Sequence, residues 1–129
     1  MDNLAPGTIA WTDLTVADAP RVRDFYREVV GWEVRGEPMG GYEDFSMLPP
    51  GTDRAVAGVC HARGVNADMP PQWLVYVVVP DVDRSAARCV ELGGTIVTAP
   101  RPLGGGRVCV VRDPAGAVLA LYRPPGEAR

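Results

Sequence analysis

Asp13, His61 and Tyr76 are the side chains of this sequence best suited to moving a proton. His61 is the single imidazole among 129 residues, and imidazole changes charge near neutral pH, where proton transfer is most useful. Asp13 sits in the strand-like run Ile9 to Val16. A buried carboxylate there needs a partner or a raised pKa. Read as chemistry, Asp13 is a general base and His61 or Tyr76 the acid. Read as structure, Asp13 is held by an arginine or a backbone N–H, and His61 is an exposed imidazole at a strand end. Cys109 offers a thiol, although a buried inert cysteine is the commoner outcome. Gly104-Gly105-Gly106-Arg107 suggests a phosphate loop, but it lacks the strand–loop–helix context and the Lys-Ser/Thr of that motif. It reads instead as an inter-strand loop from which Arg107 can meet an anion.

The elements that must position these groups occur twice. Val16-Ala17-Asp18 opens one helical stretch that stops at Gly31, and Val79-Pro80-Asp81 opens another that stops at Gly93-Gly94. The two aspartates are 81 − 18 = 63 residues apart, about half the chain. Each is a good N-cap, and Pro20 is tolerated in a first turn. Val22, Phe25, Tyr26, Val29 and Val30 recur at helical spacing and predict one apolar face, as do Val82, Ala86, Cys89 and Val90 in the second stretch. Strands are expected at Ile9–Val16, Trp32–Gly36, Tyr42–Leu48 and Ala55–His61 in the first half. In the second they are expected at Leu74–Val79, Thr95–Thr98, Arg107–Arg112 and Val118–Tyr122. Asp113-Pro114-Ala115-Gly116 has type I turn chemistry. Each half thus reads strand, helix, three strands. Module one covers about residues 7–62, a linker with Gly64, Pro70 and Pro71 covers 63–72, and module two covers 73–124, all within one domain.

Composition narrows the partners. A net charge of −3 argues against nucleic acid, which requires a clustered basic face. The longest apolar run, Trp73 to Val79, is too short to cross a bilayer as a helix. The N-terminus lacks the basic and apolar regions of a signal peptide. Three cysteines without metal-type spacing fit a reduced, cytoplasmic protein.

The run Trp11 to Asp18, followed by Phe25-Tyr26, Gly31-Trp32, Gly41-Tyr42, Ala57-Gly58, Leu92-Gly93-Gly94 and Asp113-Pro114-Ala115-Gly116, resembles the vicinal oxygen chelate superfamily. That superfamily includes glyoxalase I, extradiol dioxygenases and bleomycin-resistance proteins. The resemblance spans roughly residues 7 to 124. It implies an α+β fold of two paired βαβββ modules, forming a curved mixed sheet or incomplete barrel with helices outside, and commonly a homodimer. In metal-binding members a His, Gln or Glu stands seven residues before the aspartate that opens each helix, and a further ligand stands in each half's last strand. Here those positions are Trp11, Leu74, Ala57 and Ala120, which cannot donate to a cation. The expectation is therefore no metal and no cofactor.

If the former ligand positions point into a cleft, alternation brings their neighbours along. Trp11, Asp13 and Thr15 then line it with Leu74, Tyr76 and Val78, with Ala57, Val59 and His61, and with Val118, Ala120 and Tyr122. The opposite parity (Leu14 and Val16, Val75 and Val77, Leu119 and Leu121) is uniformly apolar and faces the helices. Tyr42, Arg107 and Cys109 complete the expected ligand-binding set. Aromatic walls with alanine gaps suit a planar or hydrophobic ligand. The expected function is metal-independent binding, sequestering an aromatic or hydrophobic metabolite or antibiotic. The alternative is a metal-independent isomerase, cyclase or lyase using Asp13 with His61 or Tyr76.

Overall fold

A computed structural model of the chain describes residues 4–126. It contains eight strands and two helices in the order β1 (Ile9–Val16), α1 (Ala19–Val30), β2 (Glu33–Pro38), β3 (Glu43–Leu48), β4 (Ala57–His61), β5 (Trp73–Val78), α2 (Val82–Glu91), β6 (Thr95–Leu103), β7 (Gly106–Arg112) and β8 (Val118–Arg123). The expected α+β class and the doubled strand–helix–three-strand order both hold. The chain divides into two compact units, Thr12–Trp73 and the residues through Trp11 together with Leu74 onward.

In the first unit the strand order is β2-β3-β4-β1. β1 runs parallel to β4, and β2–β3 and β3–β4 are antiparallel. Asp18 begins α1 as its sequence suggests: its carboxylate accepts from the N–H of Arg21, while Gly31 ends the helix at φ 87°. That left-handed conformation favours glycine. Ala19, Phe45, Met47, Ala57 and Val59 form the core beneath the helix, with Val22, Tyr26, Trp32 and Trp73 packed against them. Phe25, Val29 and Val30, expected on that buried face, are instead exposed. Periodicity identifies an apolar side of a helix but cannot say how much of it a neighbour covers.

In the second unit the order is β5-β8-β7-β6, with β5 and β8 parallel and the remaining pairs antiparallel. Asp81 caps α2 through the N–H of Arg84. The core beneath α2 is smaller, made of Val82, Ala86, Cys109 and Val111. Gly94 follows the helix where a Cβ would lie 2.8 Å from the Arg112 carbonyl oxygen, so close packing requires glycine there. β6 runs on through Pro100 and Pro102, beyond the expected stop at Thr98. It is an edge strand with two irregularities in its pairing, and prolines are tolerated in such a strand.

Candidate functional site

Cross-strand partners share a face of a sheet, so register identifies which side chains stand together. In the first unit Asp13 pairs with Gly58 and Thr15 with Cys60. Ser46 also pairs with Gly58, and Arg35 and Glu37 pair with Ser46 and Asp44. Asp13, Cys60, Asp44, Ser46, Glu37 and Arg35 therefore occupy the face turned away from α1. Their polar groups are connected. The Ser46 hydroxyl donates to Glu37 at 2.6 Å, Arg35 Nε donates to the same oxygen at 3.0 Å, and Asp44 accepts from the His61 N–H at 2.9 Å. Burial raises the Cys60 thiol pKa far above its usual range, and the negative charges of Asp13 and Asp44 raise it further. The thiol is consequently protonated and a poor nucleophile at neutral pH.

His61 stands on the other side of this sheet. Val16 pairs with His61 and Leu14 with Val59, the helix-facing parity. The His61 ring lies edge-on to Tyr42, with centroids 5.4 Å apart, and 6.1 Å from Phe45. Arg63 covers the Tyr42 ring at 3.7 Å. Asp13 and His61 are thus on opposite faces. Ala57, 2% exposed, is in the core beneath α1. The expected parity of β4 is displaced by one residue, and a one-residue shift turns every side chain to the other face. The first half has one residue more than the second between its helix-opening aspartate and this strand position (58 − 18 = 40; 120 − 81 = 39). Asp13 lies five residues before Asp18, as Tyr76 lies five before Asp81 (18 − 13 = 81 − 76 = 5). Asp13 pairs with Gly58 and Tyr76 with Ala120, so Gly58, not Ala57, is the counterpart of Ala120.

In the second unit Tyr76 pairs with Ala120 and Val78 with Tyr122. Val110 pairs with Ala120 and Val108 with Tyr122. Leu74 has the parity of Tyr76. The Tyr76 and Tyr122 rings meet edge to face at 6.1 Å. They stand partly exposed on a buried apolar floor of Leu74, Val78, Val108, Val110 and Ala120, the last 0% exposed. Thr98, paired with Val110, has a buried hydroxyl with no hydrogen-bond partner among the described residues. Cys109 and Arg107 take the opposite parity. Cys109 is fully buried against α2, and Arg107 donates two hydrogen bonds to Asp83 of α2, at 2.6 and 2.9 Å. The bond from Arg107 and its charge hold the Asp83 carboxyl below its usual pKa. Trp11, two residues before Asp13 on β1, is part-buried.

Asp44, Cys60, Ser46, Val108, Val110 and Thr98 were not singled out from sequence. Counting from the two helix-opening aspartates leads to Ala57 (120 − 81 = 57 − 18 = 39), so only the strand pairing identifies Gly58, and Cys60 two residues on. The expected ligand positions Trp11, Leu74 and Ala120 offer no cation donor, nor does Gly58 in place of Ala57. Among the described residues no group of three or more His, Cys, Asp or Glu side chains is placed to hold a metal ion. The donor set does not fit the metal of metal-binding relatives.

Comparison with known proteins agrees with this architecture. Residues 8–121 match the model of the Glyoxalase/Bleomycin resistance protein/Dioxygenase superfamily. The anthracycline biosynthesis protein DnrV of Streptomyces peucetius is 35% identical over 139 residues, covering 95% of this chain and 49% of DnrV. CFP32 of Mycobacterium tuberculosis is 31% identical over 119 residues, covering 91% of this chain and 46% of CFP32. The chain spans about half the length of these curated relatives. Methylmalonyl-CoA epimerase from Mycobacterium tuberculosis superposes with a TM-score of 0.56 at 19% identity, covering 98% of this chain and 94% of the epimerase. That likeness is one of fold. By the match along nearly its whole length, the chain belongs to the glyoxalase/bleomycin resistance protein/dioxygenase superfamily.

Proposed function

We propose that this protein is a metal-independent small-molecule-binding protein that sequesters an aromatic or hydrophobic metabolite or antibiotic, acting in the cytoplasm as a homodimer without nucleic-acid or membrane partners. The observation that carries this reading is the Tyr76–Tyr122 pair, partly exposed above an apolar floor. Flat aromatic faces with one polar tip each suit a planar, oxygen-bearing ligand. The buried Thr98 hydroxyl supports the same reading, because a buried polar group without a partner is a place for water or a ligand oxygen. The likeness to an anthracycline biosynthesis protein makes a polycyclic aromatic the first ligand to try.

The test is calorimetric titration with an anthracycline, followed by mass analysis of the recovered compound. Saturable binding with unchanged ligand mass is expected. Absence of binding overturns the aromatic ligand class, and a change in ligand mass overturns the binding-only reading in favour of catalysis. The acid–base alternative retains Asp13, which shares its face with Cys60 and Asp44. It loses the direct partnership of Asp13 with His61, which lies across the sheet. Asp13→Asn would abolish turnover under that alternative and leave anthracycline affinity within about threefold under the reading preferred here.

A further inference from the structure

Thr98 and Arg101 are three residues apart on β6, a spacing that puts side chains on opposite faces of a regular strand. Here both stand on the face of the tyrosine pair. Thr98 pairs with Val110 and Arg101 with Val108, and Val110 and Val108 pair in turn with Ala120 and Tyr122. Two single-residue insertions in β6 produce this. From Ile96 to Thr98 the strand advances two residues against one on β7 (98 − 96 = 2; 111 − 110 = 1). From Thr98 to Arg101 it advances three against two (101 − 98 = 3; 110 − 108 = 2). The first insertion turns Thr98 away from the α2 side, where Ile96 stands with its partner Val111. The second brings Arg101 to the same face as Thr98. A bulge on an edge strand can serve only to block further pairing. These two do more, because they bring a hydroxyl and a guanidinium to the margin of a buried apolar floor. Re-aiming a side chain beside a binding site is the other common use of a bulge.

Position decides what Arg101 can meet. Arg101 and Tyr122 stand on either side of Val108, and neighbouring strands lie about 4.8 Å apart, so their Cα atoms are separated by about 10 Å. Arg101 is part-buried and its Nε is out of contact with solvent. Its stem therefore lies on the protein and not out in water. A flat ligand seated against the Tyr122 ring and over the buried Val108 presents its edge to the guanidinium. That planar fork matches a carboxylate with two parallel N–H···O bonds, and partial removal from water strengthens the attraction. The face carries a second arginine, Arg112, which pairs with Val118. It is exposed at the far end of β7 and donates to the Gly116 carbonyl oxygen at 3.1 Å. Among the described strand positions of this face none is acidic. Resting on the binding reading proposed above, we infer that Arg101 determines specificity: the ligand of the tyrosine face is an aromatic compound with a carboxylate on the edge turned toward β6.

Calorimetric titration with an anthraquinone carboxylate and with the matching uncharged carboxamide, two probes on one ring system, tests this. The wild-type chain is expected to bind the carboxylate about 10-fold or more tightly than the carboxamide. Arg101→Gln is expected to bring the two affinities to within about threefold of each other. Arg101→Lys keeps the charge but not the fork and is expected to leave an intermediate preference. Arg112→Gln is expected to retain the full preference. Circular dichroism identifies a variant that has not folded; where Arg101→Gln is lost in that way, Arg101→Lys decides the matter, and an undiminished preference in it overturns the assignment. Equal wild-type affinity for the two probes, a preference that survives Arg101→Gln, or one that Arg112→Gln reduces as much as Arg101→Gln does, overturns the role of Arg101 and leaves the aromatic-binding reading standing. Binding of neither probe overturns the aromatic ligand class and the role of Arg101 with it.

Discussion

The two units repeat one strand order but distribute their large side chains differently. Under α1 the first unit packs Phe45 and Met47 with Tyr26, Trp32 and Trp73, and its other sheet face is polar, lined by Asp13, Asp44, Cys60, Ser46 and Glu37. Under α2 the second unit packs Val82, Ala86, Cys109 and Val111 with Val79, Cys89 and Leu121, and no aromatic ring is among them. Its other face is the apolar one, with the tyrosine pair above Val108, Val110 and Ala120. The same topology therefore carries two divisions of labour. In the first unit the aromatics serve the fold beneath the helix. In the second they stand on the face away from the helix, where a ligand can meet them. Substitutions in the two places should separate stability from binding.

The largest effect expected is on the first unit's core. Met47 is fully buried, and Met47→Ala should destabilise the protein by about 2–5 kcal/mol through lost contacts and the cavity left behind. Chemical denaturation measures this. In the second unit Tyr76→Ala and Tyr122→Ala remove part-exposed rings. Each should weaken anthracycline binding by about tenfold or more, with a smaller stability loss than Met47→Ala. Calorimetry and denaturation on the same samples provide the comparison. If Met47→Ala lost affinity as strongly as the tyrosine variants while still folded, the division between the units would fail.

Helix caps give the next, smaller test. Asp18→Ala and Asp81→Ala each remove a side-chain bond to a first-turn N–H, at 3.3 and 3.0 Å, and each should cost about 0.5–2 kcal/mol. The first turn of α2 retains Asp83, whereas that of α1 has no acidic residue. A negative charge near a helix N-terminus is favourable. Asp18→Ala should therefore fall nearer the upper end of that range and Asp81→Ala nearer the lower. Thermal denaturation of both variants ranks them.

These differences show which features the sequence could reveal. β1 occupies the run Ile9–Val16 expected for it, and both caps fall on the expected aspartates, because capping and turn chemistry act over three or four residues. The parities of β5 and β8 were legible as well, since Val75, Val77, Leu119 and Leu121 form a consistently apolar set. β4 was not, because Ala57, Gly58 and Val59 are all small or apolar and alternation cannot decide which of them faces outward. The register of β4 is set by pairing with Asp13 and Ser46, a contact distant in sequence. That is why Cys60 and Asp44 were missed and why His61 was expected beside Asp13. Arg107 illustrates the same limit: its partner Asp83 lies 24 residues away on α2.

The smallest effects compare one carboxylate from each unit. The Ser46 hydroxyl bond, followed by Arg35, holds the Glu37 carboxyl below its ordinary pKa. A folded-state pKa lower than the unfolded one means that Glu37 stabilises the fold above its unfolded pKa, about 4.3, and that this contribution disappears as pH falls through the lower folded value. Glu37→Gln should then cost a few tenths of a kcal/mol at neutral pH, because the side chain is 40% exposed and solvent screens the pair. The gap between wild type and variant should close as pH falls below that range. Asp83 is lowered in the same direction by Arg107, so its contribution is lost on the same side of the pH scale. It lies on the outer, more exposed side of α2, its side chain 57% exposed, where salt screens it more fully. Asp83→Asn should therefore move stability less than Glu37→Gln, and its effect should shrink further as ionic strength rises. Urea denaturation from pH 7 down through the carboxylate range, at low and high salt, measures both. An Asp83→Asn loss that exceeds that of Glu37→Gln and resists salt would place a working ion pair in the second unit and reverse the order argued from exposure.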